Sequence, residues 1–307
     1  MISKLLIYKS LQLFSIMIIG FIITKLKIIR YKDSLVLSKL SLYVLMPSAI
    51  INAFDFQKSE QMRNGLLLAF LAAIIIHVVF YLLDILYSRY ISNNSVERAS
   101  IMYSNAGNLI IPIVSFVLGN EWVVFSTAYL SVQLLFLWSH GIQLFSSNEK
   151  FNIKKVLFNV NIIAIASGLV MMIFGWRLPT FVKDITSSFG DMLGTVGMLI
   201  AGILAANIDF KKILADKRIY RVIFVRMVAY PFITLFILKL LSLISVIDGE
   251  KILLISFLAS ITPSAATVMQ FAQINNNDSL YATAINILTT IVCVLTMPLF
   301  VMLFNYV

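Results

Sequence analysis

Long apolar runs separated by short polar connections dominate this chain. They lie near 5–24, 34–54, 66–88, 98–118, 122–145, 156–176, 185–206, 219–241, 252–272 and 280–304. Each is close to the roughly 20 residues a helix needs to cross the hydrocarbon core of a bilayer. The pattern therefore predicts an all-α polytopic membrane protein with ten transmembrane helices. Runs two, four, seven and nine carry Pro, Gly, Ser, Thr or Asn where a simple anchor would carry Leu. Polar groups at membrane depth must face protein or a water-filled cavity, so these four helices are the ones expected to do more than span.

Five runs fall on each side of a polar stretch. An odd number of crossings per half gives two related halves opposite orientations, so an inverted repeat is expected. Its parts are 1–145 with helices one to five, a cytoplasmic connection over 146–155, and 156–307 with helices six to ten. Glu97 to Pro112 in helix four and Glu250 to Pro263 in helix nine support the symmetry. Each runs from a charged start through apolar residues to a polar stretch with a proline. A short polar connection follows each, Gly119-Asn120-Glu121 in one case and Asn275-Asn276-Asn277-Asp278 in the other.

The two prolines mark the candidate chemistry. Pro112 has no N–H for the carbonyl of Asn108, and Gly107 gives the backbone freedom to open there. Asn105 and Asn108, three residues apart, bring amide groups to the same helical face. In helix nine Pro263 frees the carbonyl of Ala259, and Ser260, Ser264 and Thr267 follow at i, i+4 and i+7 as a stripe of hydroxyls. Two matching broken helices point to a binding site at the midplane, where half-helix N-termini would present N–H groups and positive dipole ends to an anion.

Composition narrows the class further. Hydrophobic residues make up 60% of the 307 and charged residues 12%, against about 45–50% and about 25% in soluble domains. The net charge of +10 does not indicate nucleic acid, because the Lys and Arg lie between apolar runs rather than on one folded surface. With the N-terminus outside, the inner connections hold 14 basic residues and the outer ones 6. That bias predicts both termini extracytoplasmic in the cell membrane. Arg226, five residues after Arg221, is expected to snorkel to the inner headgroups. The single cysteine, Cys293, lies in an apolar run and can form no intrachain disulfide.

Leu42…Met46-Pro47-Ser48-Ala49, Asn105-Ala106-Gly107-Asn108…Pro112, and Thr262-Pro263-Ser264-Ala265-Ala266 followed by Gln270 and an Asn-rich turn resemble the auxin efflux carrier family. That family includes bacterial malate and malonate permease homologues and the plant PIN-type carriers. The resemblance covers essentially the whole chain. It implies a 5+5 inverted-repeat fold of the sodium/proton-antiporter and bile-acid-symporter type, with helices four and nine broken and crossing near the midplane. It further implies transport of small organic anions such as carboxylates, by elevator-like motion of a crossover domain against a scaffold of helices one, two, six and seven. Asn105 falls where the family places a substrate-contacting Asn, and Gln133 resembles a polar residue near that site. The expected substrate site thus comprises Asn105, Asn108, Pro112, Ser260, Thr262, Pro263, Ser264 and Gln133. No counterpart of the family's acidic and basic support pair is visible near helix three, so the resemblance assigns no coupling ion.

Among the remaining polar residues, Asp84 and Asp191 are the candidates for a coupling cation, since intramembrane carboxylates are functional by default. His77 and His140 are isolated and read as core or interface residues rather than metal ligands. No cofactor is called for. The expected partners are a small organic anion, the bilayer and a second copy of the chain through the scaffold helices. An enzyme is disfavoured: Ser188-Phe189-Gly190-Asp191 lacks the first glycine of an intramembrane aspartyl protease signature, and no phosphate-binding loop is present. A sodium-coupled symporter of the same fold, and a receptor or structural membrane protein, remain as alternatives.

Overall fold

The computed structural model describes residues 2–55, 60–145, 154, 157–244 and 246–306. The predicted connection 146–155 therefore lies outside the described residues except for Lys154, and so do the side chains of Asn108 and Pro112. Among the described residues every regular element is helical. In chain order these are α1 (Ile2–Lys25), α2 (Tyr31–Ala53), α3 (Glu60–Tyr90), α4 (Ser95–Met102), α5 (Ala106–Val117), α6 (Val123–Phe145) and α7 (Val160–Phe174). There follow α8 (Thr180–Ala205), the short α9 (Phe210–Ala215), α10 (Lys217–Leu241), α11 (Gly249–Ser260), α12 (Ala266–Ile274) and α13 (Ser279–Tyr306). Among the described residues, six helices are long and apolar enough to cross a membrane: α2, α3 from Asn64, α6, α8, α10 and α13. The two apolar runs expected to be broken are each divided into two shorter helices, α4 with α5 and α11 with α12.

Small residues set a close contact between α1 and α8. A Cβ added to Gly20 in α1 would collide with the carbonyl of Leu199, and one added to Gly202 in α8 with that of Met17. The two backbones touch, as membrane helices do when small residues face each other. One side of α2 carries a polar seam. Ser34, Ser38 and Ser41, spaced about one turn apart, meet two glutamines of α12. Gln273 Nε2 donates to Ser34 Oγ at 2.6 Å, Ser38 Oγ donates to Gln273 Oε1 at 2.7 Å, and Gln270 Nε2 donates to Ser41 Oγ at 3.2 Å.

Ion pairs grip α4 from both flanks. Arg98 donates to Asp84 of α3 in a two-pronged contact of 3.0 and 2.6 Å. The neighbouring Glu97, fully buried, accepts from Tyr87 at 3.0 Å, from Arg221 of α10 at 2.9 Å and from Tyr281 of α13 at 3.4 Å. Successive residues on a short helix point to different sides, so one turn of α4 is tied to three neighbours. An acid–base pair beside the third apolar run is therefore present, contrary to expectation. Its partners are 14 residues apart in sequence and become neighbours only through the turn between α3 and α4.

Three helices contain a widened π turn, closed by i to i+5 hydrogen bonds from Met46 to Ser41, Ile142 to Leu137 and Tyr230 to Val225. Pro47 and Pro231 stand directly behind two of them. A proline ring clashes with the carbonyl four residues earlier, and a widened turn relieves that clash. Each turn carries a polar side chain that the packing uses: Ser41, His140 and Arg226.

Candidate functional site

The two helix breaks are paired to each other. Tyr103 and Ala265 are extended, at φ −98°, ψ 127° and φ −63°, ψ 135°. Ser104 and Ser264 form an antiparallel bridge. Across it, Asn105 N donates to Pro263 O at 2.8 Å and Ala265 N donates to Tyr103 O at 3.0 Å. Backbone that leaves a helix inside a membrane must find such partners.

The position of the first break corrects the sequence reading. It lies at 103–105, not at Gly107–Pro112, and Pro112 falls inside α5. The carbonyl after which a proline starves its helix is thus not where this helix opens. The break forms where another chain segment and a side chain supply replacement hydrogen bonds. In the second half Pro263 does sit in the break, pushing Thr262 out of helical conformation. The expected hydroxyl stripe of Ser260, Ser264 and Thr267 is not formed, because the helix is interrupted between the first and the last of them.

Each break is held by an amide from the following long helix. Gln133 of α6 is wrapped around Ser104: its Oε1 accepts from Ser104 N at 3.1 Å and closely from Ser104 Oγ, and its Nε2 donates to Ser104 O at 2.8 Å. Asn286 of α13 donates to Ser264 O at 2.6 Å, and Ser264 N donates to Thr289 Oγ1 at 3.2 Å. Stranding a buried N–H or carbonyl costs about 1–3 kcal/mol. Gln133→Leu should therefore lower the melting temperature and the flux of substrate together. Lost flux at an unchanged melting temperature would instead make Gln133 a direct substrate ligand.

Arg226 closes the other side of the breaks. It does not reach the headgroups: it is 0% exposed. Its Nη2 donates to the carbonyls of Ser260 and Thr262, both at 2.6 Å, its Nε to Thr262 O at 3.2 Å and its Nη1 to Ile101 O at 3.2 Å. The carbonyls of Ile101 and Ser260 belong to the C-terminal ends of α4 and α11, the negative ends of their dipoles, where a cation is favoured, and that of Thr262 lies two residues beyond the end of α11. A π turn, not the sequence spacing from Arg221, decides where this side chain points.

The N-terminal ends of α5 and α12 face a cavity. Asn105 and Gly107 of one half, and Ala265, Ala266 and Thr267 of the other, line it, within about 760 Å³ of empty space that includes open solvent. Neither Asn105 nor Ala265 caps its helix through a side chain. Ser41, Ser104, Thr127, Ser131, Gln133 and Gln270 add polar groups, while Met46, Ile50, Phe54, Leu130, Leu134, Leu137 and Leu193 form an apolar wall. No described lining residue is charged. The ligand such a chamber suits has one anionic group for the helix ends and a body that tolerates the apolar wall.

The predicted residues other than Asn108 and Pro112, whose side chains lie outside the description, fall into three sets. Asn105 and Gln133 line the cavity. Ser260, Thr262, Pro263 and Ser264 build the break: the hydroxyls of Ser260 and Thr262 turn back to Phe257 O and Ala259 O, so Thr262 meets the carbonyl that Pro263 frees. Asp84 and Asp191 stand apart. Asp84 is bound to Arg98 and His140, and Asp191 is exposed on a second cleft with Gln12, Asn52 and Thr195. That cleft shares Ala49, Ala53, Gly107 and Leu193 with the first cavity and so adjoins it. The sequence reading missed Arg226, Asn286, Thr127 and Ser131 as parts of this arrangement. Among the described residues there is no His, Cys, Asp and Glu group able to hold a metal.

Comparison with known proteins identifies a family. Among curated proteins none matches the chain significantly. A family profile described as membrane transport protein matches residues 5–155 and 148–301, which together take in nearly the whole chain. The chain belongs to this membrane transport protein family, the family of the auxin efflux carriers.

Proposed function

We propose that the protein is a secondary transporter, an efflux carrier or permease, for small organic anions such as carboxylates. The observation that carries this reading is the pair of half-helix N-termini, α5 and α12, opening on one cavity with no charged residue among its described lining. A site of N–H groups and amides binds an anion without a fixed partner that must be pulled away when the anion leaves.

The matched breaks and their matched clamps, Gln133 on Ser104 and Asn286 on Ser264, support a 5+5 inverted repeat of residues 1–145 and 156–307. Ten crossings follow if α4 with α5 and α11 with α12 each count as one. In the elevator reading α1, α2, α7 and α8 are the scaffold, and the Gly20–Gly202 contact suits a rigid pair within it. The serine and glutamine seam between α2 and α12 is then the boundary along which the moving part slides. Both termini extracytoplasmic in the cell membrane, and a dimer through the scaffold, belong to the same proposal.

The sodium-coupled alternative is disfavoured by Arg226. The carbonyls that a coupling sodium ion would use at the breaks already accept from a guanidinium. The test is flux in proteoliposomes across a panel of mono- and dicarboxylates, with and without a sodium gradient. Saturable, sodium-independent flux of at least one carboxylate is expected. Flux of none, or flux only with sodium, would refute the respective part.

A further inference from the structure

Gln270 of α12 lines the cavity and is 1% exposed. Its Nε2 donates to Ser41 Oγ of α2 at 3.2 Å, while its Oε1 has no hydrogen-bond partner among the described residues. A buried amide oxygen without a donor costs stability, and at the wall of a binding chamber the ligand is the group that can supply one. Two hydroxyls of α6 on the same cavity are alike in kind. Thr127 Oγ1 donates to Val124 O and Ser131 Oγ donates to Thr127 O, both at 2.6 Å. Each hydroxyl has given its proton to its own helix and keeps only lone pairs for a ligand. Gln133 and Ser104 are engaged with each other.

The chamber therefore has two kinds of polar wall. The N-termini of α5 and α12 present N–H groups, which take a carboxylate. Gln270, Thr127 and Ser131 present oxygens, which take a hydrogen-bond donor. We propose that Gln270, with Thr127 and Ser131, forms a donor-recognising subsite, so that the preferred substrates are carboxylates that also carry a neutral hydroxyl or N–H group. The proposal rests on the transporter reading and narrows its substrate class. An ammonium group is disfavoured as the donor, because the cavity has no charged residue among its described lining to pair with it. A carboxylate without any donor would leave Gln270 Oε1 unpaired and exclude water that could serve it. Sites built to hydrogen-bond a substrate hydroxyl or N–H reject analogues lacking it for that reason.

The test compares matched carboxylates that differ at one substituent. The 2-, 3- and 4-hydroxybenzoates are set against the methyl- and methoxybenzoates of the same positions, and 3-hydroxybutyrate against 3-methylbutyrate. Binding is read by isothermal titration of the purified protein, which needs no transport. At least one hydroxy acid should bind at least about tenfold more tightly than its methyl partner, and that ratio should fall below about threefold in Gln270→Met. If that variant does not fold, Ser131→Ala, which removes one of the other acceptors, should lower the ratio at least about twofold. An unchanged ratio in the folded variant would overturn the assignment to these residues. Hydroxy and methyl partners that bind equally, or tightest binding by a methoxy acid, would overturn the subsite while leaving the carboxylate reading intact. Binding of no hydroxy acid would also overturn it, and the flux panel then judges the transporter reading separately.

Discussion

Arg226→Met is expected to reduce flux at least about 100-fold and to lower the melting temperature. The substitution removes the donors for the carbonyls of Ile101, Ser260 and Thr262, and each buried acceptor left without one costs about 1–3 kcal/mol. It also removes the positive charge from the negative ends of α4 and α11. The fixed cation and the anionic ligand would stand on opposite sides of the paired breaks, each at the helix ends that favour its sign. Losing the cation weakens the frame and the pull on the anion together. Arg226→Lys keeps the charge without the planar fork, so it should retain measurable but reduced flux. In Arg226→Ala, added guanidinium has a vacated slot lined by the same carbonyls and should restore part of the activity. Full flux from a folded Arg226→Met protein would show that the buried charge plays no part.

The second large effect is expected at Ala266, the first residue of α12, 2% exposed and lining the cavity. Ala266→Asp tethers a carboxylate at a helix N-terminus, which stabilises a negative charge by about 0.3–1 kcal/mol and by up to about 2 in partly buried sites. The melting temperature should hold or rise while transport of organic anions is lost, because the new group takes the place of the substrate's own. Ala266→Asn, of nearly the same size and uncharged, should keep substantial flux. Equal losses in the two variants would mean that bulk, not charge, decides. The helix ends would then not be the anion site.

Much of this architecture was legible in the chain because hydropathy alone marks the apolar runs, and polar residues at membrane depth have no innocent place to go. Asn105 and Pro263 were marked in that way, and Gln133 by the family resemblance. What escaped depends on contacts between distant segments. The first break is made by Gln133 and by pairing with Pro263 O, and nothing local to Tyr103-Ser104-Asn105 announces it. Arg226 looked like an anchor because an ideal helix carries it on from Arg221; the π turn at Val225–Ala229 changes its direction. Pro47 and Pro231 were visible signals for two such turns, whereas Leu137–Gly141 has no proline behind it. The Asp84–His140 pair joins residues 56 positions apart on helices that meet only in the fold.

The central claim is that an organic anion binds between the N-termini of α5 and α12. It is tested most directly by locating a bound ligand. A brominated analogue of a carboxylate that competes in the flux assay can be placed by anomalous scattering from crystals of the protein grown with it. The account predicts the bromine in the cavity against the apolar wall of Ile50, Leu130 and Leu134, with the carboxylate density between Gly107 and Thr267. Ligand density in the second cleft beside Asp191, or against Arg226 on the far side of the breaks, would contradict it.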